Sequence, residues 1–196
     1  MNCRSIVFAL CVAAPAALCA CAGAPANPNP RAAAPLALAP AVDLPRFMGR
    51  WYVIANIPYF AEAGYVGSYV EYAQRPDGDI DDLYFGRKGS FEKPLEKKEL
   101  KDSVVAGSNN AEWRASPVWP VSFSYLILYV DPAYQYALIG YPGKKWGWVF
   151  ARSPEIDDAA YHRLLAEFDR QGYDTTRFLR VPQQIDQLGK PGFQSQ

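Results

Sequence analysis

Beyond residue 21 the sequence has no cysteine, and along its whole length it has one histidine, His162. No Cys/His cluster with metal-ligand spacing exists, so no metal site is expected. Neither a Cys/His nor a Ser/His nucleophile pair is available, and nothing in the sequence implies a cofactor. His162 falls one residue after Tyr161 and four after Asp158, toward the polar side of a helical stretch, where it reads as a surface residue. Neither sign of charge dominates: Lys+Arg total 20 and Asp+Glu total 20. That balance gives no basic footprint and excludes nucleic acid as a partner. Long apolar runs are absent too, apart from Ile6 to Leu18, which is too short for a permanent membrane-spanning helix.

That run, with Arg4 before it, reads as a signal peptide over residues 1–20. Its end, Leu18-Cys19-Ala20-Cys21, resembles a bacterial lipobox: aliphatic at −3, small at −1, then the cysteine that becomes the lipidated N-terminus. Cys21 fits that place and Cys19 does not, because Leu18 would stand at its −1 position. Cys19 at −2 departs from the usual pattern, and an ordinary secretory signal cut after Ala20 or Ala22 is the alternative. Gly23, rather than Asp, resembles the pattern of lipoproteins sent to the outer membrane. On this reading Cys3, Cys11 and Cys19 leave with the signal and no disulfide can form, so stability must come from a core. Residues 21–41 form an Ala/Pro-rich tether whose only charge is Arg31. As extended polyproline at about 3.1 Å per residue it would reach on the order of 60 Å. Residues 42–183 are long enough for one domain, and the polar tail 184–196, with Pro191-Gly192, is expected to trail off without structure.

Between these ends the chain is dense in Tyr, Trp, Phe and β-branched residues, with turn signals every eight to twelve residues, the rhythm of an all-β sandwich or barrel. Strands are predicted near Trp51–Ile57, Ser68–Gln74, Ile80–Gly86, Leu95–Ala106, Ala111–Ala115, Ser124–Val130, Tyr136–Tyr141 and Trp146–Arg152. Hairpin turns at Pro76-Asp77-Gly78 and Pro142-Gly143-Lys144-Lys145 favour an antiparallel up-and-down meander, and eight such strands can close around a ligand-sized cavity. A single helix follows, with Asp157 as N-cap, Gly172 past its end, and Tyr161, Leu164, Leu165 and Phe168 on one face. Arg177–Val181 returns as a short ninth strand.

Gly49-Arg50-Trp51-Tyr52 opens the first strand and Arg152 closes the eighth, an arrangement that suggests an indole under a guanidinium closing the base of the barrel. Val42-Asp43-Leu44 with Phe47-Met48-Gly49-Arg50-Trp51-Tyr52, Arg75-Pro76-Asp77-Gly78, Tyr129-Val130-Asp131-Pro132-Ala133-Tyr134 and Trp148-Val149-Phe150-Ala151-Arg152-Ser153-Pro154 together resemble the bacterial lipocalins of the outer-membrane lipoprotein Blc type, related to apolipoprotein D. The resemblance spans Val42 to Gln184. It implies an eight-stranded up-and-down lipocalin barrel, all-β, with one C-terminal α-helix, an apolar pocket, and binding of fatty acids or lysophospholipids. Relatives of this type can dimerise, but no stretch marks an interface. A membrane partner would be reached through the lipid on Cys21.

Alternation from Arg152 places Phe150, Trp148 and Trp146 inward, and from Trp51 it places Val53 and Ala55 inward. The resemblance suggests Val70, Tyr72 and Tyr84 on the next strands, with Tyr125, Ile127, Tyr129 and Ile139 opposite, as the lipid-binding lining. Trp51 and Arg152 are assigned to barrel closure and not to ligand contact. Residue types alone equally allow these aromatics to fill the barrel as a core. The strand from Leu95 carries Glu96, Lys97, Lys98, Glu99, Lys101 and Asp102 and reads as a solvated charge run, with a lysine there able to pair with an anionic head group. Three functions stand: a lipid-binding and transport module, a lipid-modifying enzyme in which a carboxylate such as Asp82 would act alone, and a structural lipoprotein with a filled barrel.

Overall fold

In the computed structural model, residues 34–118 and 120–194 are described. Eight antiparallel strands follow in chain order: β1 (Gly49–Asn56), β2 (Tyr65–Gln74), β3 (Ile80–Lys88), β4 (Glu96–Val104), β5 (Glu112–Val118), β6 (Val121–Val130), β7 (Tyr136–Gly140) and β8 (Gly147–Ala151). β1 pairs with both β2 and β8, so the sheet closes on itself and leaves no free edge among these strands. A short helix α1 (Leu44–Phe47) leads into β1, α2 (Asp158–Arg170) follows β8, and β9 (Leu179–Arg180) pairs with Ala55 and Asn56 of β1. The barrel, helix and ninth strand are those expected from the sequence. The β5–β6 hairpin is longer than expected: instead of stopping at Ala115 and restarting at Ser124, the ladder runs on to Val118 opposite Val121.

The wall separates two apolar clusters. Inside lie Phe47, Trp51, Val53, Tyr65, Val70, Tyr72, Ile80, Tyr84, Trp113, Ile127, Ile139 and Phe150. Outside, Ile54, Leu126, Leu128, Leu138 and Val149 pack beneath Tyr161, Leu164 and Phe168 of α2. The helix starts where Asp157 accepts from the Ala160 N–H at 2.6 Å. It ends in a Schellman turn, with Gly172 at φ 80° and the Tyr173 N–H reaching back 3.1 Å to the Phe168 carbonyl. It can lie close because Gly140 and Gly147 face each other across β7 and β8: a Cβ on Gly140 would sit 2.6 Å from Leu128 Cδ1, and one on Gly147 3.0 Å from Phe178.

Register shifts interrupt the ladders between Val53 and Ala55, Val66 and Tyr69, Ala115 and Val118, and Ile127 and Tyr129, and two of them displace expected lining residues. Between Val53 and Ala55, β1 advances two residues while β8 advances one, so Ala55 joins the outer cluster and Asn56 turns inward opposite Trp148. Between Ile127 and Tyr129, β6 does the same against β7. Tyr129, expected in the lining, therefore stands outside the barrel, packed against the outer cluster.

Both flanking segments are docked. Residues 34–41, expected to belong to a free tether, run along the wall: the Ala39 N–H bonds Ile127 O at 2.9 Å, Gln171 exchanges two hydrogen bonds with Ala37, and Lys144 Nζ donates to Ala34 O at 2.7 Å. The tail expected to trail off instead folds back. Arg180 and Phe193 form a parallel bridge, and Gln194, 4% exposed, donates its side-chain amide to Asn56 Oδ1.

Candidate functional site in the barrel interior

Four layers occupy the barrel from base to mouth. At the base the Arg152 guanidinium lies 3.7 Å over the Trp51 ring. Its nitrogens donate to the carbonyls of Arg46, Phe47, Met48 and Arg50 at 2.6–3.1 Å, which are the free carbonyls at the C-terminal end of α1 and the start of β1. Trp51 Nε1 donates to Phe47 O at 2.8 Å, so indole and guanidinium fasten the same turn.

Above them is an aromatic layer. Phe47 lies 5.1 Å from Trp51 and 5.4 Å from Trp113, and Trp113 stacks on Tyr125 at 5.3 Å. The Tyr72 and Tyr125 hydroxyls bond each other at 2.6 Å. Trp113, absent from the expected lining, fills much of this layer; turn signals locate β5, but the inward parity of Trp113 follows only from its pairing with Tyr125.

The third layer is acidic. Asp82 pairs across the sheet with Tyr72, and Asp102 pairs with Ile80 and Ala115, so both face inward. Asp82 is 6% exposed and Asp102 is fully buried; Asp82 Oδ1 and both carboxylate oxygens of Asp102 have no hydrogen-bond partner. Burial and mutual repulsion raise the Asp82 carboxyl well above its usual range, while burial, aided by Asp79, lifts Asp102 to about 7. β4 is thus not wholly a solvated charge run. Its outer residues Lys97, Glu99 and Lys101 are exposed, but its inner face carries Lys98, Leu100 and Asp102.

At the mouth, the β1–β2 loop turns inward through Glu62, whose Oε2 accepts from Trp148 Nε1 at 2.7 Å and Asn56 Nδ2 at 2.8 Å. Burial raises this carboxyl as well. Lys98 reaches over from β4, donates to Ala61 O and lies 4.0 Å over the Tyr65 ring. The β4–β5 ladder ends at Lys101–Ser116, below Pro117, which has no N–H to give. On the same face of β6 as Tyr125, Phe123 is 40% and Val121 46% exposed. The inner face therefore meets solvent along this side of the mouth.

Of the expected lining, Val70, Tyr72, Tyr84, Ile127, Ile139 and Phe150 lie in the inner cluster, with Tyr125 and Trp148 half-buried against it. Trp146 stands at the rim, 4.6 Å from Tyr141 and 5.3 Å from Tyr59. Cys21 lies outside the described residues. Glu62 and Asn56 were not among the expected residues: one sits in a loop and the other's orientation depends on a bulge. Asp102 gave a weak signal, standing two positions from Val104 on a strand whose charges point both ways.

A closed eight-stranded barrel with an apolar inner face, a stacked tryptophan and arginine at one end and a helix against its side defines a class of small-ligand-binding barrels. The lipocalin-like domain family matches residues 42–183, and the chain belongs to the lipocalin family. Among similar proteins are temperature-induced lipocalin-1 of Arabidopsis thaliana, 30% identical over 76% of this chain and 83% of its own length, and the outer membrane lipoprotein Blc of Vibrio cholerae, 28% identical over 76% and 89%. Insecticyanin from the tobacco hornworm Manduca sexta shares the fold with a TM-score of 0.61, at 15% identity, covering 83% of this chain and 89% of its own.

Proposed function

We propose that this protein binds a lipid amphiphile, a fatty acid or lysophospholipid, inside the barrel and carries it at the bacterial outer membrane, tethered by a lipid on Cys21. The observation that carries the reading is the run of apolar side chains from Val70, Ile127, Ile139 and Phe150 inside to the solvent-exposed Phe123 and Val121 at the mouth. Each buried methylene contributes about 0.8 kcal/mol, so a chain of some ten buried carbons offers several kcal/mol before the costs of association are subtracted. The Blc relatives are named as outer membrane lipoproteins, which supports the location, and the lipobox-like Leu18-Cys19-Ala20-Cys21 supports the anchor. The aromatic layer favours a second reading for the lower barrel alone, that of a packed plug, which leaves the ligand the upper half.

Native mass spectrometry of protein purified without detergent tests the proposal. Co-purifying or exchangeable acyl ligand is expected; its complete absence would leave the filled structural barrel. Intact mass of the membrane fraction reads acylation of Cys21, and an unmodified cysteine there would remove the anchor. Among three functions open from the sequence, binding is preferred to catalysis because the interior offers carboxylates without an adjacent nucleophile among the described residues.

A further inference from the structure

The inner acidic layer has no role in closing the barrel and none in the lipid-binding reading. A buried carboxylate with unpartnered oxygens is costly, and native interiors normally satisfy such groups. Here two of them face the interior together. Asp82 and Asp102 are diagonal neighbours on β3 and β4, and the Tyr72–Tyr125 hydroxyl pair borders them through the Tyr72–Asp82 pairing. The route in from the mouth would follow the cross-strand row Asp102–Ala115–Phe123, in which the small Ala115 is the one wall position between the buried carboxylate and the half-exposed Phe123 ring. No group of three or more metal-ligating side chains occurs among the described residues, so a metal ion is a poor occupant.

The balance of charge decides which organic ligand fits. Among the described residues, Asp82, Asp102 and Glu62 face the interior and Glu96 stands with them at the mouth, against Lys98 and, over the same Tyr65 ring, Lys88; the Arg152 guanidinium is spent on carbonyls beneath Trp51. Where these carboxyls are ionised a fatty-acid carboxylate brought past the mouth would meet like charge; an ammonium would hold them in the ionised form, displacing their protons, and would meet unpartnered acceptors and aromatic faces.

We infer that Asp82 and Asp102 form a cation-recognising subsite, and that the barrel prefers an amphiphile with a primary ammonium group at its buried end to one with a carboxylate. This rests on the reading that the barrel takes an amphiphile at all. Below the subsite the aromatic layer blocks further entry, so the ammonium stops there and the alkyl chain runs up along Phe123 and Val121.

Calorimetric titration of the delipidated full chain with decylamine, decanol and decanoate, each below its micellar concentration at neutral pH, tests the subsite. Decylamine is expected to bind about tenfold or more tightly than decanoate. Asp82→Asn and Asp102→Asn should each reduce that ratio, and the double variant should bring it within about threefold of unity, while Glu99→Gln on the exposed outer face of β4 leaves it unchanged. Thermal melts confirm that each variant is folded; should either Asp82→Asn or Asp102→Asn fail to fold, the other decides. A wild-type preference for decanoate, or an amine preference that survives both substitutions, overturns the subsite while leaving the lipid-binding reading intact. Binding of none of the three probes overturns both.

Discussion

Arg152 does at the residue scale what a capping loop does elsewhere: it supplies donors to carbonyls that α1 cannot satisfy itself. Removing it takes that donor from the Arg46 and Met48 carbonyls, leaves Phe47 O with the Trp51 N–H alone, and takes the cation off the Trp51 face. Arg152→Ala is expected to cost about 2–4 kcal/mol in urea unfolding, with little change in ligand affinity. Arg152→Lys should recover only part of that, because an ammonium cannot serve a fan of carbonyls as a planar guanidinium does. Trp148 has the converse role. Its indole N–H holds Glu62 at the mouth, and Trp148→Ala should weaken acyl binding more than stability; unchanged affinity would remove Trp148 from the ligand path.

The buried carboxylates set the pH dependence. Asp82, Asp102 and Glu62 all have carboxyls raised by folding, so the folded protein holds more protons than the unfolded chain. The contribution of these carboxyls to stability is greatest below the ordinary carboxylate range and falls as pH rises through it, the Asp102 part being lost by about pH 7, at up to about 1.4 kcal/mol per pH unit for each group in transit. The groups facing the pair include Asp79 and the Tyr72 and Tyr125 hydroxyls, with Lys98 toward the mouth opposing Glu62. Chemical denaturation between pH 4 and 8 should show this decline, and Asp102→Asn should flatten it and exceed the wild type in stability at pH 8. A wild-type curve that rises over that interval would contradict the inward, unpartnered placement.

At the scale of elements, the wall is a regular meander interrupted where a bulge or a glycine lets something approach. Gly140 and Gly147 make the bare patch on which Tyr173, Phe168 and Phe178 lie, and the Tyr173 hydroxyl accepts from the Tyr141 N–H at 3.0 Å across it. Gly140→Ala places a methyl within 2.8 Å of that hydroxyl and is expected to destabilise by about 1–3 kcal/mol, read as a lower melting temperature with the barrel intact by far-UV circular dichroism. These elements also separate what is legible in sequence from what is not. Strand rhythm, hairpin turns, the Asp157 cap and Gly172 are local chemistry, and they locate eight strands and the helix. A bulge is a property of two strands in register. Ala55 and Tyr129 therefore face opposite to the alternation rule, and Asn56 enters the site unannounced. Asp102 is illegible for a related reason: its neighbours Lys101 and Ser103 point outward, and the charge of the segment masks the one carboxylate of β4 that is buried.

Over the whole molecule, the two chain segments flanking the barrel converge on opposite sides of its mouth. Residues 34–41 fasten the side near Gly143 and α2, while the C-terminal segment brings Gln194 between Asn56 and Gly64, the two ends of the β1–β2 loop. That loop carries Glu62 and Tyr59 into the mouth and exposes Phe60, so whatever fixes its ends sets how readily a ligand passes. Gln194 is buried and bonded to both ends, beside the Ile57 N–H on Gly147 O and the Gly89 N–H on Gly64 O; the middle of the loop is anchored by the Trp148 and Asn56 bonds to Glu62, by Lys98 on Ala61 and by Tyr59 against Trp146 and Trp148. Truncation after Gln183 removes the outer clasp and leaves the Asn56 carbonyl without that donor. The barrel should remain folded, losing about 1–3 kcal/mol, and hydrogen exchange over residues 57–64 should quicken relative to β1 and β2. Dissociation of a bound acyl probe should accelerate with it, while Gln194→Ala in the full chain should reproduce most of the effect. Unchanged exchange in the loop after truncation would mean that Glu62 and Lys98 hold the mouth alone, and the tail would then have no part in gating.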